Sequence, residues 1–571
     1  MRHLLGAASF LALLFAAPVE AASPTPVSSS HAMVVSAHRL ASKAGIDVLK
    51  GGGNAIDAAV AVAYALAVTF PEAGNLGGGG FMTIRLADGR TAFIDFREKA
   101  PGRATATMFQ DANGNAVPER SRRGWLAVGV PGTVAGLELA RTRFGTRPRT
   151  ALMASAIRLA RDGFVLDKGD ADMLADAQDD FRKDPASAAI FLNKGTPWRA
   201  GQRLVQADLA RSLQAIATGG SAAFYNGPIG AKIAAASRAG GGLFTTADFA
   251  AYRAVERKPI ECDYRGYHIV SAPPPSSGGV VLCETLNILE GYDLKGMGFR
   301  SAAEVHALTE AMRRAYHDRN TQLGDPDFVK VDTAHFVSKD YAARLRAGID
   351  PNRATPSASL PAPGIGKEGR NTTHFSIVDA AGNAVSLTYT LNDWFGARLT
   401  APGTGILMND EMDDFSAKPG APNMFGLVEG PSNAVAPGKR PLSSMTPTIV
   451  AKDGQLSMVV GTPGGSRIPT AVLETISNMI DHGMTITEAV DAPRVHNQWY
   501  PDEVGVERFA VSADTRRVLE RMGHKVVDIP YGNQVAAILV GGPAIGARPI
   551  DGDRYYGAID PRLNVGDVEG Y

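Results

Sequence analysis

Apolar positions repeat at helical spacing over Val305, Leu308, Met312, Ala315 and Tyr316, and again over 151–161 and 470–481. Each run predicts a helix with one face turned to a core. Residues 36–70 also read as helix, through SAHRLASKAGIDVLKGGG and then NAIDAAVAVAYALAVTF. The second stretch is so uniformly apolar that it belongs in the interior. Strand patterns fall at 374–378, 384–391, 447–451, 457–461 and 535–540, and FMTIRLADGRTAFIDF reads as a hairpin turning at Asp88-Gly89. Hairpins with short turns predict antiparallel sheets whose outer faces the helices must cover. Neither an internal repeat nor a sustained heptad is present.

The stretch FSIVDAAGNAVSLTYT carries its own register. With Ala380-Ala381-Gly382 as a three-residue loop and Gly382 supplying the left-handed residue, Val378 faces Ala384 and Thr372 faces Thr390. Directly opposed residues share a face, with Cβ atoms roughly 4.5–5.5 Å apart, so two hydroxyls lie side by side. On spacing alone, such a pair is a β-propensity choice with a hydrogen bond. Alternation puts His374 on the same face, where it is read as structural. Just upstream, DPNRATPSASLPAPGIGKEGRN (350–371) lacks periodicity and is rich in Pro, Gly, Ala and Ser, which reads as an exposed linker.

Composition narrows the classes. The chain has 571 residues, 45% hydrophobic and 20% charged, enough for a large core shared by two packed parts or one intertwined domain. Formal net charge is zero, with no charged block suited to nucleic acid or an anionic membrane. At the N-terminus, Arg2, an apolar run from Leu4 to about Ala17, and Val19-Glu20-Ala21 have the order of a secretory signal peptide over 1–21. That implies an exported protein, periplasmic or secreted, without a membrane anchor. The two cysteines, Cys262 and Cys283, are compatible with a disulfide or with two free thiols.

Familiar chemical signatures are mostly absent. No CxxC, HExxH or GxSxG occurs. Gly77–Gly80 precede a hairpin rather than a helix, so they serve close backbone packing rather than phosphate binding. Asn371-Thr372-Thr373 is a glycosylation sequon of a kind common by chance.

From about residue 31 to the C-terminus the chain resembles the gamma-glutamyltransferase (gamma-glutamyltranspeptidase) family of N-terminal nucleophile hydrolases. The motifs that carry the resemblance include GNAIDAAVAVAYALAVTFPEAGNLGGGGFM, IDFREKAP, VGVPGTVAGLELA, PPPSSGG, LGDPDFVKV, NTTHFSIVDAAGNAVSLTYTLN, NDEMDDFSAKPG, KRPLSSMTPTIV, GTPGGSRIPT, PRVHNQW and GAIDPR, in that order.

The resemblance implies an α+β, four-layer αββα sandwich of two stacked, mainly antiparallel sheets. It implies a precursor that cuts itself between Asn371 and Thr372 into a large subunit, 22–371, and a small catalytic subunit, 372–571, which stay together as a heterodimer. The freed amine of Thr372, with a reference pKa of about 7.7–8.0, then acts as base for its own hydroxyl. Thr390 orients that hydroxyl, and Gly464 and Gly465 form the oxyanion hole. By the same resemblance Arg97, Ser443 and Ser444 hold the α-carboxylate of a gamma-glutamyl donor, while Asn392, Glu411 and Asp414 hold its α-ammonium. The segment 418–441 is similar to a lid loop found in some members, with Phe425 near a position where some relatives carry Tyr.

The implied activity is gamma-glutamyl transfer from glutathione and other gamma-glutamyl compounds to water, amino acids or peptides, with no cofactor or metal. A glutaryl-cephalosporin acylase is the nearest alternative; Asn392, Glu411 and Asp414 argue against it, since a glutaryl group has no ammonium for them. A non-processing exported binding protein is a reading from another class, and the retained TTHFS argues against it.

Overall fold

The computed structural model describes residues 23–360, 372–548, 552–563 and 565–571. The expected signal peptide, Asn371 and the later half of the linker lie outside these residues. Two seven-stranded sheets form the centre. In spatial order, the first holds Asp567–Gly570, Met33–Ser36, Thr373–Val378, Ala384–Thr390, Gly79–Arg85, Thr91–Asp95 and Val255–Arg257. The second holds Val27–Ser29, Tyr555–Ile559, Ala536–Val540, Gln455–Gly461, Thr448–Lys452, Tyr267–Ser271 and Ile260–Tyr264. All pairings within both sheets are antiparallel.

Three apolar layers account for the stacking. Helices Arg39–Lys50 and Ala55–Thr69 cover the first sheet in one apolar cluster with Phe375, Ile377, Val385 and Leu387, and Arg149–Asp162 packs on the second of these helices. Helices Gly278–Leu289 and Ile468–Ile480 cover the second in one apolar cluster with Ile269, Val450, Met458 and Leu539, and Ala302–Gln322 packs on the first of these helices. Between the sheets lie Met33, Val35, Val378, Ile449, Val459 and Ile538. Alternation along Thr373–Val378 sends Phe375 and Ile377 to the helices and Val378 to the other sheet. This is the four-layer αββα arrangement.

The expected helices and strands occur with shifted ends, and the 36–70 reading divides in two. Gly51-Gly52-Gly53 stop the first helix, with Gly52 at φ +78°, and Asn54 starts the next through a capping box with Asp57. The central hairpin has the expected register from Val378 opposite Ala384 to Thr373 opposite Tyr389, with Gly382 at φ +91°.

Both sheets mix strands from before and after residue 372, so a chain cut there would still share one core. Residues 350–360 are exposed at most positions, but two, Ala354 and Ser357, are buried. The Ser357 hydroxyl donates to the Trp499 carbonyl at 2.6 Å and its amide to Asp502 at 2.7 Å. The linker therefore begins docked rather than free. Cys262 and Cys283 form a disulfide that ties strand Ile260–Tyr264 to helix Gly278–Leu289. Among the described residues, no helix is long and apolar enough to cross a membrane.

Candidate active site

Thr372 sits at the N-terminal end of strand Thr373–Val378, 4% exposed. Thr390 ends the neighbouring strand, and its Oγ1 accepts from the Asn392 amide at 2.9 Å. Both threonines line one pocket. Strand Gly79–Arg85 flanks them, and the glycine run allows its close approach: a Cβ on Gly78 would stand 2.0 Å from the Thr390 carbonyl oxygen. The glycines thus serve packing, as the sequence suggests.

His374 shares the face of Thr372 but does not line the pocket. Its ring contacts the hydroxyls of Thr388 at 2.8 Å and Ser376 at 3.1 Å between the sheets. Burial lowers its pKa to about 3, so it is neutral near pH 7.

The charged wall comes from two distant segments. Arg97 follows strand Thr91–Asp95 and is completely buried. Its guanidinium donates to Glu411 and Asp414 and, at 3.2 Å, to the Pro441 carbonyl. Glu411–Asp414 is a single 3₁₀ turn, which puts the two carboxylates on one side. Sequence reasoning gives Arg97 and these acids opposite charges of a ligand; in the structure they also neutralise each other.

Burial raises the pKa of Glu411 well above the ordinary range and that of Asp414 as well, with Arg97 opposing both. The adjacent Glu98 is pushed up to about 7, again by burial against the pull of Arg97. Burial by itself lowers Arg97, but the surrounding carboxylates hold it above its usual value.

Ser443 and Ser444 form the facing wall. The Ser443 hydroxyl accepts from the Met445 amide at 3.1 Å, and its carbonyl accepts from the Ser277 hydroxyl at 2.7 Å. Asn392 has φ +80°, and its side-chain amide donates to the Asp410 carbonyl at 3.1 Å. Gly464 and Gly465, at φ +137° and +58°, turn the chain into helix Ile468–Ile480. A Cβ on Gly465 would lie 2.4 Å from the Phe425 ring, so the turn and the 418–441 segment are tightly fitted.

Arg97, Asn392, Glu411, Asp414, Ser443, Ser444 and Gly465 line the same pocket as the two threonines. Gly464 is adjacent to it, and Asn371 lies outside the described residues. The sequence reading missed Arg319, Leu427, Met445 and Ile468, which also line it. Arg319 had a signal: it continues the stripe through Val305, Leu308, Met312 and Tyr316, where a charge has no reason to be buried unless paired.

Comparison with known proteins agrees over nearly the whole chain. The family profile described as gamma-glutamyltranspeptidase matches residues 41–569. A glutathione hydrolase proenzyme of Pseudomonas sp. strain A14 is 59% identical, covering 97% of this chain and 96% of its own. That of Escherichia coli K12 is 50% identical, covering 94% and 91%. The solved cephalosporin acylase of Bacillus halodurans superposes with a TM-score of 0.83 at 28% identity, covering 98% of this chain and 99% of its own.

Proposed function

Because the chain belongs to the gamma-glutamyltranspeptidase family, we propose that it is a self-processing gamma-glutamyltransferase and glutathione hydrolase in which Thr372 is the nucleophile. The observation that carries this reading is the gathering of Arg97, Thr372, Thr390, Asn392, Glu411, Asp414, Ser443, Ser444 and Gly465 around one pocket.

In the first reaction, the Thr372 hydroxyl attacks the carbonyl of Asn371 and displaces its own amide nitrogen, giving an ester and a free amine. Water hydrolyses the ester, leaving fragments 22–371 and 372–571. In the second, the Thr372 amine takes the hydroxyl proton as Oγ attacks the gamma-carbonyl of the donor. Thr390 fixes the direction of that hydroxyl, and the backbone N–H groups at Gly464-Gly465 meet the developing oxyanion. The leaving amine departs with a proton, and water or an acceptor amine opens the second ester.

Donor binding is an ion exchange. The α-carboxylate takes the Arg97 fork with the hydroxyls of Ser443 and Ser444, and the displaced acids, Glu411 and Asp414, receive the α-ammonium together with Asn392. Each charge of the donor meets a partner of opposite sign, which offsets the desolvation of its carboxylate and ammonium on leaving water. Glutathione and other gamma-glutamyl amides fit as donors, and amino acids or peptides as acceptors. Residues 1–21 direct export to the periplasm or the medium.

The decisive experiment runs signal-less protein and Thr372→Ala on a denaturing gel and assays both with gamma-glutamyl-p-nitroanilide. Two bands, one beginning Thr-Thr-His-Phe, should appear only with Thr372, and turnover should fall by about 10⁴-fold or more in the variant. A single uncut band in the unaltered protein would sink the reading.

The likeness to a cephalosporin acylase favours a second reading, cleavage of glutaryl amides. A large preference for glutaryl-p-nitroanilide over the gamma-glutamyl dye would select it.

A further inference from the structure

Arg319 brings a second guanidinium to the pocket wall. It is 1% exposed, near the end of helix Ala302–Gln322, and donates to Glu429, itself 2% exposed, in the 418–441 segment. The same guanidinium reaches the Ser444 hydroxyl at 3.4 Å and the Ser277 hydroxyl at 3.2 Å. Glu429 also accepts from the Asn433 amide, which donates in turn to the Asp414 carbonyl at 2.6 Å. One network thus touches both sides of the expected donor clamp.

Charge gives this network a consequence. A guanidinium keeps its proton even when buried, so an uncompensated Arg319 would add a permanent positive charge beside Ser444. In a site shielded from water that charge would attract any carboxylate and repel an ammonium. Arg97 has Glu411 and Asp414 to release when a donor arrives. Arg319 is held instead by Glu429, which does not line the pocket.

We propose that Glu429 is a specificity-determining residue: by neutralising Arg319 it leaves Arg97 to bind the donor carboxylate and keeps the site selective for donors that also carry an α-ammonium. The proposal rests on the gamma-glutamyl reading above. It predicts that discrimination against desamino donors is set from the 418–441 segment as well as by the acids that would touch the ammonium.

The test compares kcat/KM for gamma-glutamyl-p-nitroanilide and glutaryl-p-nitroanilide, which differ by the α-ammonium alone. In Glu429→Gln the ratio of the first to the second should fall about tenfold or more, as KM rises for the gamma-glutamyl dye and falls for the glutaryl one. Gln still accepts a hydrogen bond from Arg319, and a gel showing both fragments verifies folding.

Arg319→Gln behaves differently. Burial already raises the Glu429 pKa, so without Arg319 this carboxyl takes up a proton and the local charge is unchanged. The ratio should then stay within about twofold while KM rises for both dyes, because Ser444 loses its partner. An unchanged ratio in Glu429→Gln, or an equal shift in both variants, would overturn the proposal. Absence of gamma-glutamyl turnover in the unaltered protein would count against the functional reading instead.

Discussion

The space between the two sheets has a dry end and a polar end, and strand Thr373–Val378 with Thr372 before it runs from one to the other. At the dry end Val378 packs with Met33, Val35, Ile449 and Ile538. Two residues back, the Ser376 hydroxyl donates across the gap to the Ala536 carbonyl at 3.0 Å. Then come His374, bonded to hydroxyls, and finally Thr372 at the pocket. The dry end supplies burial free energy without direction. The polar end supplies direction, since hydrogen bonds fix angles that apolar contacts leave free. Thr372, at the end of this gradient, is held by both.

Three substitutions would break or sharpen the contrast. Ile538→Ala, at a completely buried position of the dry end, should cost about 3 kcal/mol in urea unfolding and leave kcat nearly unchanged. An equal loss of kcat would show that the dry end also aligns the nucleophile. Thr390→Ala should do the reverse, lowering kcat about a hundredfold, equivalent to about 2.7 kcal/mol, with little change in unfolding midpoint. Steady-state rates beside melting curves would expose any failure of that separation.

The third concerns acid. The pKa of His374 is depressed in the fold to about 3, so the folded chain stays unprotonated there while the unfolded chain binds a proton below about 6.5. Stability from this group is therefore complete above about pH 6.5 and is lost as pH falls toward the folded value. Between pH 7 and pH 5 the loss amounts to about 2 kcal/mol. In His374→Gln the difference between urea midpoints at these two pH values should shrink accordingly; an unaltered difference would place the acid sensitivity elsewhere.

Local patterning made much of this legible. The hairpin register follows from a loop glycine and strict alternation, and it places Thr390 beside Thr372 without reference to any relative. The αββα layering follows less directly: alternating strands need cover, but which strands share a sheet depends on pairing between segments hundreds of residues apart, such as Asp567–Gly570 with Met33–Ser36. That Arg97, Glu411, Asp414, Ser443 and Ser444 belong to one site was readable through motif resemblance, and the structure gathers them around one pocket. Their mutual pairing was not readable, since DFREKAP and NDEMDDF carry no mark of being neighbours.

The sequence by itself determined the elements, the threonine pair, the glycine-dependent turns and the family, because these rest on local periodicity, backbone freedom and ordered motifs. Only the tertiary structure decided that Arg97 is balanced by Glu411 and Asp414, that Arg319 stands at the pocket paired with Glu429, that the two cysteines are joined, and that His374 is kept neutral. Each is a matter of distance and burial between remote segments, and the free energy of a charge depends on what surrounds it more than on its own identity.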